Sequence, residues 1–310
     1  MLAGSRRGES VTHYAMVITK IIGGLSNQMF QYAAGRGVAY RNNTPLKLDI
    51  TGFGKLGGYT RWEYGLHIFT IKQDFAAPEE VGRLGNTNAN FVQKLRSNVR
   101  AIFAPRNRPH RVAEKHFHFD PEVYRAPDQS YLAGYWQSEK YFSDIEDIIR
   151  KDFTFKQEPD EKNKKIIHQI RGGDTVSVHI RRRDYVTDPA TAKVHGTCPL
   201  DYYRQAIALI VQKITAPKFF VFSDDIVWAQ HNLKFIASAF FVDHNQQRQD
   251  YEDLRLMSYC HHHIIANSTF SWWGAWLSTH HDKVVIAPRQ WFQNTNIDTR
   301  DLIPSNWITL

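Results

Sequence analysis

Cysteine is scarce in this chain of 310 residues: Cys198 and Cys260 are the only two, far apart in sequence. No CxxC pair and no Cys/His zinc spacing occurs. That excludes a disulfide-stapled scaffold and the zinc-finger classes, and it points to a reducing compartment. No apolar run is long enough to span a bilayer. Residues 1–15 (MLAGSRRGESVTHYA) lack the apolar centre of a signal peptide and read as a loose leader, with Met16 as an alternative start. The expected location is therefore the cytoplasm. A Lys/Arg-rich tail, a nucleic-acid motif and an internal repeat are all missing, so nucleic acid is not an expected partner. The GxGxxG fingerprint is missing too, which argues against a dinucleotide cofactor.

What is present is enough hydrophobic (42%) and aromatic (13%) content to build full cores. The formal charge of +8 suits an anionic ligand or peripheral contact with an anionic membrane face. His261-His262-His263 resembles a metal tract. Neighbours in an extended segment point to opposite faces, so no shared ion and no metal requirement is expected.

Hydrophobic periodicity organises the chain as strand and helix in turn. Val17 to Ile22 reads as a strand, Gly23-Gly24 as a turn, and Met29 to about Tyr40 as a helix. Strand, glycine turn and helix make the opening unit of a Rossmann-like domain. The glycines serve either a plain tight turn or close backbone approach to a ligand. Leu46 to Ile50 is the next strand. Residues 52–130, with Gly52, Gly54, Gly57, Gly58 and a basic stretch from Lys94 to Arg111, read as long loops with short helices. Tyr131 to Tyr135 is a strand, and Ser138 caps a helix running to about Arg150. The charged stretch Lys156–Lys165 is a linker or an exposed helix start. The second half alternates cleanly through strands near 175–181, 219–222, 240–242, 263–266 and 284–286. Alternation of this kind implies parallel sheets covered on both faces. The fold expected is α/β, with two Rossmann-like domains at 16–160 and 161–310 and a cleft between them.

Two segments carry chemistry. Val178-His179-Ile180-Arg181-Arg182-Arg183-Asp184-Tyr185 places three guanidinium groups where a strand ends, which is where ligand crevices form in α/β folds. Guanidinium forks match phosphate oxygens in a bidentate way. A solvated basic loop is the plainer reading. Asn267-Ser268-Thr269-Phe270-Ser271 opens a helix after another strand of the same sheet. Helix N-termini present free N–H donors to phosphate, and the hydroxyls of Ser268, Thr269 and Ser271 can add to them. Ordinary capping is the alternative there. Together the segments can converge on one diphosphate, at about 1.5–3 kcal/mol per charge-assisted bond. Trp272, Trp273 and Trp276 have the spacing of a buried helix face. Asp253, on the helix before strand 263–266, can accept two N–H bonds from a guanine edge.

Six ordered segments bear a family resemblance: GGLSNQMFQYA at 23–33, GYWQSEKYF at 134–142, HIRRRDY at 179–185, FSDD at 222–225, YEDLRLMS at 251–258 and IIANSTFSWWGAWL at 264–277. The chain resembles the α-1,2-fucosyltransferases of glycosyltransferase family 11, in their bacterial form. The resemblance implies a GT-B-like fold and transfer of L-fucose from GDP-β-L-fucose to the 2-hydroxyl of a galactose-terminated glycan, with inversion and without metal. It implies that Arg181 and Arg182 bind the diphosphate and that His179 lies near the nucleotide. Asp184 is implied to brace the arginines, Ser268, Thr269, Phe270 and Ser271 to form a phosphate-binding segment, and Asp253 to contact guanine. Gly23, Gly24 and Asn27 match a loop facing the sugar. Arg183 stands where glycine is common in the family. Positive φ there would strain an arginine, which could instead supply a third cation.

Asp49 and Asp188 are the candidate general bases, approaching the cleft from opposite sides. Two alternatives stay open: a GDP-fucose-dependent enzyme of another linkage, and a non-catalytic protein that binds glycans or polyanions.

Overall fold

The computed structural model describes residues 15–53, 63–85, 109–245 and 249–310. The leader through Tyr14, Gly54, Gly57 and Gly58, and most of the basic stretch from Lys94 lie outside the described residues.

Two parallel sheets stand on either side of a cleft. The first has the order β2-β1-β4-β3, from β1 (Val17–Lys20), β2 (Leu46–Asp49), β3 (His110–Ala113) and β4 (Ser130–Ala133). The second has the order β10-β9-β8-β5-β6-β7. Its strands are β5 (Thr175–Ile180), β6 (Lys218–Ser223), β7 (Phe240–Phe241), β8 (His262–Ile264), β9 (Val285–Ala287) and β10 (Ile308–Thr309). Every strand pairing described within these two sheets is parallel, so helices must cover both faces. Burial of every residue of β5 follows from that cover. This is the two-domain α/β, GT-B-like arrangement.

The irregular region holds more structure than its composition suggests. Helix Pro78–Gly85 and strand β3 lie within it, and β3 extends the first sheet beside β4. Three of the four residues of β3 are exposed, so it has no apolar alternation to announce it. Ser138 is a cap, but of a 3-10 turn, Glu139–Tyr141, and the α-helix begins only at Glu146. The charged stretch 156–165 runs into helix Glu161–Ile170, capped by Asp160 through the Asn163 amide. β10 comes after the strand expected to be last.

Helix Leu25–Arg41 is buried on nearly all sides, including Gln28 and Gln31. The amides serve the backbone: Gln31 Oε1 accepts from Ile22 N at 2.9 Å, and Gln28 bonds Gly23, Glu63 and Gly65. Helix Thr269–Leu277 follows β8 of the second sheet, yet its tryptophans enter the core of the first half. Phe30 lies 4.6 Å from Trp272 and 4.8 Å from Trp273, ring centre to ring centre. Each indole N–H is satisfied: Trp272 donates to Leu302 O, Trp273 to Ser26 O and Trp276 to Glu139 Oε2. Truncating a buried tryptophan costs about 3–5 kcal/mol. The helix therefore pins one half of the molecule to the other.

Candidate active site

A cavity of about 810 Å³ opens between the two halves. Its walls come from the carboxyl ends of β5, β6, β7 and β8, and from the first turn of helix Leu25–Arg41. This is where ligands sit in open parallel sheets. The N-termini of helices Leu25–Arg41 and Thr269–Leu277 meet there, with Ser26 Oγ 2.8 Å from Thr269 Oγ1. Neither first turn carries an acid. Two positive dipole ends thus point into one space.

Arg181 lies on the wall at the end of β5. Its Nη1 is 2.9 Å from Asp224 Oδ2 and its Nη2 is 2.5 Å from Asp184 Oδ1. A guanidinium has five N–H donors, so two ion pairs fix its plane and leave others for an anion. Asp184 braces this arginine. Arg182 does not share the wall. Its backbone N–H donates to Asp224 Oδ1 at 2.8 Å, while its side chain lies over Trp228 at 3.8 Å and toward Asp225 at 3.4 Å. Alternation along an extended segment turns it away from its neighbour. Arg183 supplies the second cavity cation. It opens helix Arg183–Thr187 without positive φ, so the strain expected of an arginine there does not arise.

At the other helix start Ser268 is the cap, accepting from Phe270 N at 3.3 Å, and it lines the cavity with Thr269 and Phe270. Ser271 does not reach the cavity: it is buried and donates back to Ser268 O at 3.2 Å. One helical turn from the cap, its hydroxyl shares the Ser268 carbonyl with the Trp272 amide. His179, almost wholly buried, is part of the wall and packs against Phe270, and among the described residues its Nδ1 has no partner. Burial, then the Arg181 charge, lowers its pKa to about 3, so it stays a neutral imidazole.

Also on the wall, Asp253 accepts from Asn245 Nδ2 at 2.9 Å. Burial pushes its carboxyl up to about 7, against the pull of that hydrogen bond. Asp250 beside it is also raised by burial, with Arg181 and Arg183 opposing.

On the first-half side, Asn27 Oδ1 accepts from Gln137 Nε2 at 2.9 Å and from Thr269 Oγ1 at 3.2 Å. Gly23 has φ +75°, a value that favours glycine, and Gly24 is the helix N-cap. Neither glycine is on the cavity wall. Their turn sets Ser26 and Asn27 there instead.

The two candidate bases are not in the cavity. Asp49 is buried in the first half, where Oδ2 accepts from Tyr131 OH at 2.5 Å and Oδ1 from Thr51. It ends β2, on the flank of β1 away from β4. Asp188 caps helix Pro189–His195, accepting from Ala190 N and from Thr191 Oγ1 at 2.6 Å. Sequence reasoning overlooked Asp224, Asn245 and Asp250. Asp224 belongs to the FSDD segment, which entered only as part of the family resemblance. The rule that ligands gather at strand ends could have found it, and also Asn245 after β7.

The family 11 glycosyl transferase profile matches residues 116–310. An α-1,2-colitosyltransferase of Escherichia coli is 33% identical, over 96% of this chain and 99% of that protein. The chain belongs to glycosyl transferase family 11. The O-antigen biosynthesis glycosyltransferase WbnK of E. coli is also 33% identical, over 93% of this chain and 98% of its own length. Human galactoside α-(1,2)-fucosyltransferase 1 is 28% identical over 47% of this chain, a stretch covering 42% of the human protein. Among solved structures, the fucosyltransferase NodZ from Bradyrhizobium aligns over 85% of this chain and 92% of its own, with TM-score 0.50 and 14% identity. That likeness speaks to the fold alone. A family 11 glycosyltransferase needs a nucleotide-sugar site, and the cavity between the halves has the chemistry for one.

Proposed function

We propose that this glycosyltransferase moves L-fucose from GDP-β-L-fucose to the 2-hydroxyl of a galactose-terminated glycan, inverting the anomeric centre. The observation that carries the reading is the meeting of Arg181, Arg183 and two helix N-termini in one cavity that Asp253 also lines. The guanidinium groups and helix starts suit a diphosphate, and the Asp253 carboxylate suits the N–H edge of guanine.

In the reaction the acceptor oxygen bonds to the anomeric carbon on the face opposite GDP. The bond from that carbon to the β-phosphate oxygen breaks, and the hydroxyl releases its proton. Charge grows on the leaving diphosphate as the bond stretches. Arg181, held rigid by Asp184 and Asp224, is preorganised to stabilise that charge, so the transfer needs neither an acid nor a metal ion. Neutral His179 adds polarity under the nucleotide without adding charge.

A second donor is favoured by the 33% identity, over nearly the whole chain, to a protein named α-1,2-colitosyltransferase. Colitose is L-fucose without its 3-hydroxyl, so one cavity of this kind can hold either sugar. The proposed partners are GDP-sugar and glycan acceptor. The proposed setting is the cytoplasm, with charge-driven contact at the inner membrane face; among the described residues no helix is long and apolar enough to cross a membrane.

The test is GDP release from GDP-fucose and GDP-colitose in EDTA, with and without β-galactosides. Acceptor-dependent release in EDTA supports the reading, and the ratio of the two donors assigns the sugar. No release together with no GDP binding would overturn it and favour a non-catalytic glycan- or polyanion-binding protein.

A further inference from the structure

We propose that His261, His280 and Asp282 bind one divalent transition-metal ion, Zn²⁺ in the first instance, at a site remote from the sugar-transfer cavity. One ligand atom from each lies within 4.8 Å of the other two. Zinc bonds of about 2.0–2.2 Å place tetrahedral ligand atoms roughly 3.3–3.5 Å apart. The gap closes by side-chain rotation, because His280 and Asp282 are exposed and residues 278–284 form neither helix nor strand.

The surroundings of His261 select its ligating nitrogen. Nε2 meets Asp282 Oδ1 at 2.7 Å, and Nδ1 faces Asp174 Oδ1 at 3.3 Å. With an ion on Nε2, the Nδ1 proton is directed at Asp174. That is the carboxylate–histidine–metal arrangement, in which the outer carboxylate fixes the tautomer and raises ligand basicity.

A competing set, Asp174, His261 and His262, also brings its atoms within 4.8 Å. It is the poorer one. His262 Nδ1 accepts from Val284 N at 3.0 Å, so the proton of the neutral ring sits on Nε2 and no lone pair remains. His263 is committed to Ser177 at 2.8 Å inside the core. The three consecutive histidines therefore contribute one ligand, and the others come from beyond helix Thr269–Leu277. Two imidazoles and a carboxylate suit Zn²⁺, with a fourth position left for water. None of these residues lines the transfer cavity. An ion there ties the turn after helix Thr269–Leu277 to the start of β8. Lys283 of the same turn already donates to Ala275 O and Ser278 O at that helix end.

The test is equilibrium dialysis of the untagged chain against ZnCl₂, with MgCl₂ in parallel. One Zn²⁺ per chain at micromolar affinity is expected, without Mg²⁺ uptake. His280→Ala and Asp282→Ala should each weaken it about 10²-fold, and Asp174→Asn about tenfold through its effect on His261. Unfolding temperatures of the metal-free variants should match the parent, which separates loss of a ligand from loss of fold. Zn²⁺ uptake unchanged in both His280→Ala and Asp282→Ala, or absent below millimolar in the parent, would overturn the proposal.

Discussion

Ser26 Oγ and Thr269 Oγ1 lie 2.8 Å apart although 243 positions separate them in the chain. The contact joins the first turns of two helices, one from each half, at the floor of the cavity. Thr269 also reaches Asn27 Oδ1 at 3.2 Å, so one threonine serves both halves. Thr269→Val keeps the shape and removes both hydrogen bonds. The expected stability loss is about 1–3 kcal/mol, at about 0.5–1.5 per bond, read from denaturant unfolding. The helix starts should also lose register, lowering kcat/KM roughly tenfold, by about 1.4 kcal/mol.

The three consecutive arginines should separate kinetically. Arg181→Ala removes the braced cavity cation and is expected to lower kcat about 10³-fold, the scale of a lost preorganised charge contact. Arg183→Ala should raise donor KM about tenfold, because from the cavity wall it holds donor and transition state alike. Arg182→Ala should act through the Asp225 and Trp228 packing, chiefly on stability. Steady-state kinetics on the three variants check the order. A larger kcat loss in Arg182→Ala than in Arg181→Ala would contradict the placement.

If Asp253 holds guanine as proposed, donor binding should depend on pH. Its carboxyl titrates near 7 in the folded protein, raised by burial, against about 4 in an unfolded chain. Guanine N–H donors need the ionised form. GDP affinity should therefore rise through pH 7 and be about tenfold weaker at pH 6 than on the alkaline plateau. Folding runs the other way. The raised pKa contributes stability below about pH 4 that is lost as pH rises through 7. Asp253→Asn should thus melt higher than the parent at pH 8 and like the parent at pH 4, while its GDP affinity is weak and flat with pH. Calorimetric titration and thermal unfolding across pH 4–8.5 test both signs.

The alternation of strands and helices was legible wherever strands are buried on both faces. β5 and β6 announce themselves as β-branched or aromatic runs, and Ser268 announces a helix start. β3 was not legible, because an exposed edge strand carries no apolar alternation. Of the site, Arg181, Ser268, Thr269 and Asp253 were visible as chemistry at strand ends or on the helix between them. The direction each side chain takes was not visible. Arg182 and Arg183 exchange roles because the chain passes from the end of β5 into a helix that starts at Arg183, and Ser271 turns inward to the Ser268 carbonyl. The His280–Asp282 partners of His261 are brought together by tertiary packing alone.

Asp49 and Asp188 look alike in sequence as acids near a cleft, and the structure gives each a structural task. Asp49 accepts the Tyr131 phenol at 2.5 Å and the Thr51 amide and hydroxyl inside the first half. Replacing it by alanine leaves the buried Tyr131 hydroxyl without its acceptor, while the donors of exposed Thr51 regain water, a loss of about 1.5–3 kcal/mol, the usual scale of one hydrogen bond to a charged group. Asp188→Ala removes a helix cap worth about 1 kcal/mol. A general base contributes about 10²–10⁴ to the rate. The expected result is a lower unfolding midpoint in both variants, larger for Asp49→Ala, with kcat per folded molecule within about threefold of the parent. A 10²-fold fall in kcat at unchanged stability, in either variant, would restore that residue to the chemistry and require the cavity to reach it during turnover.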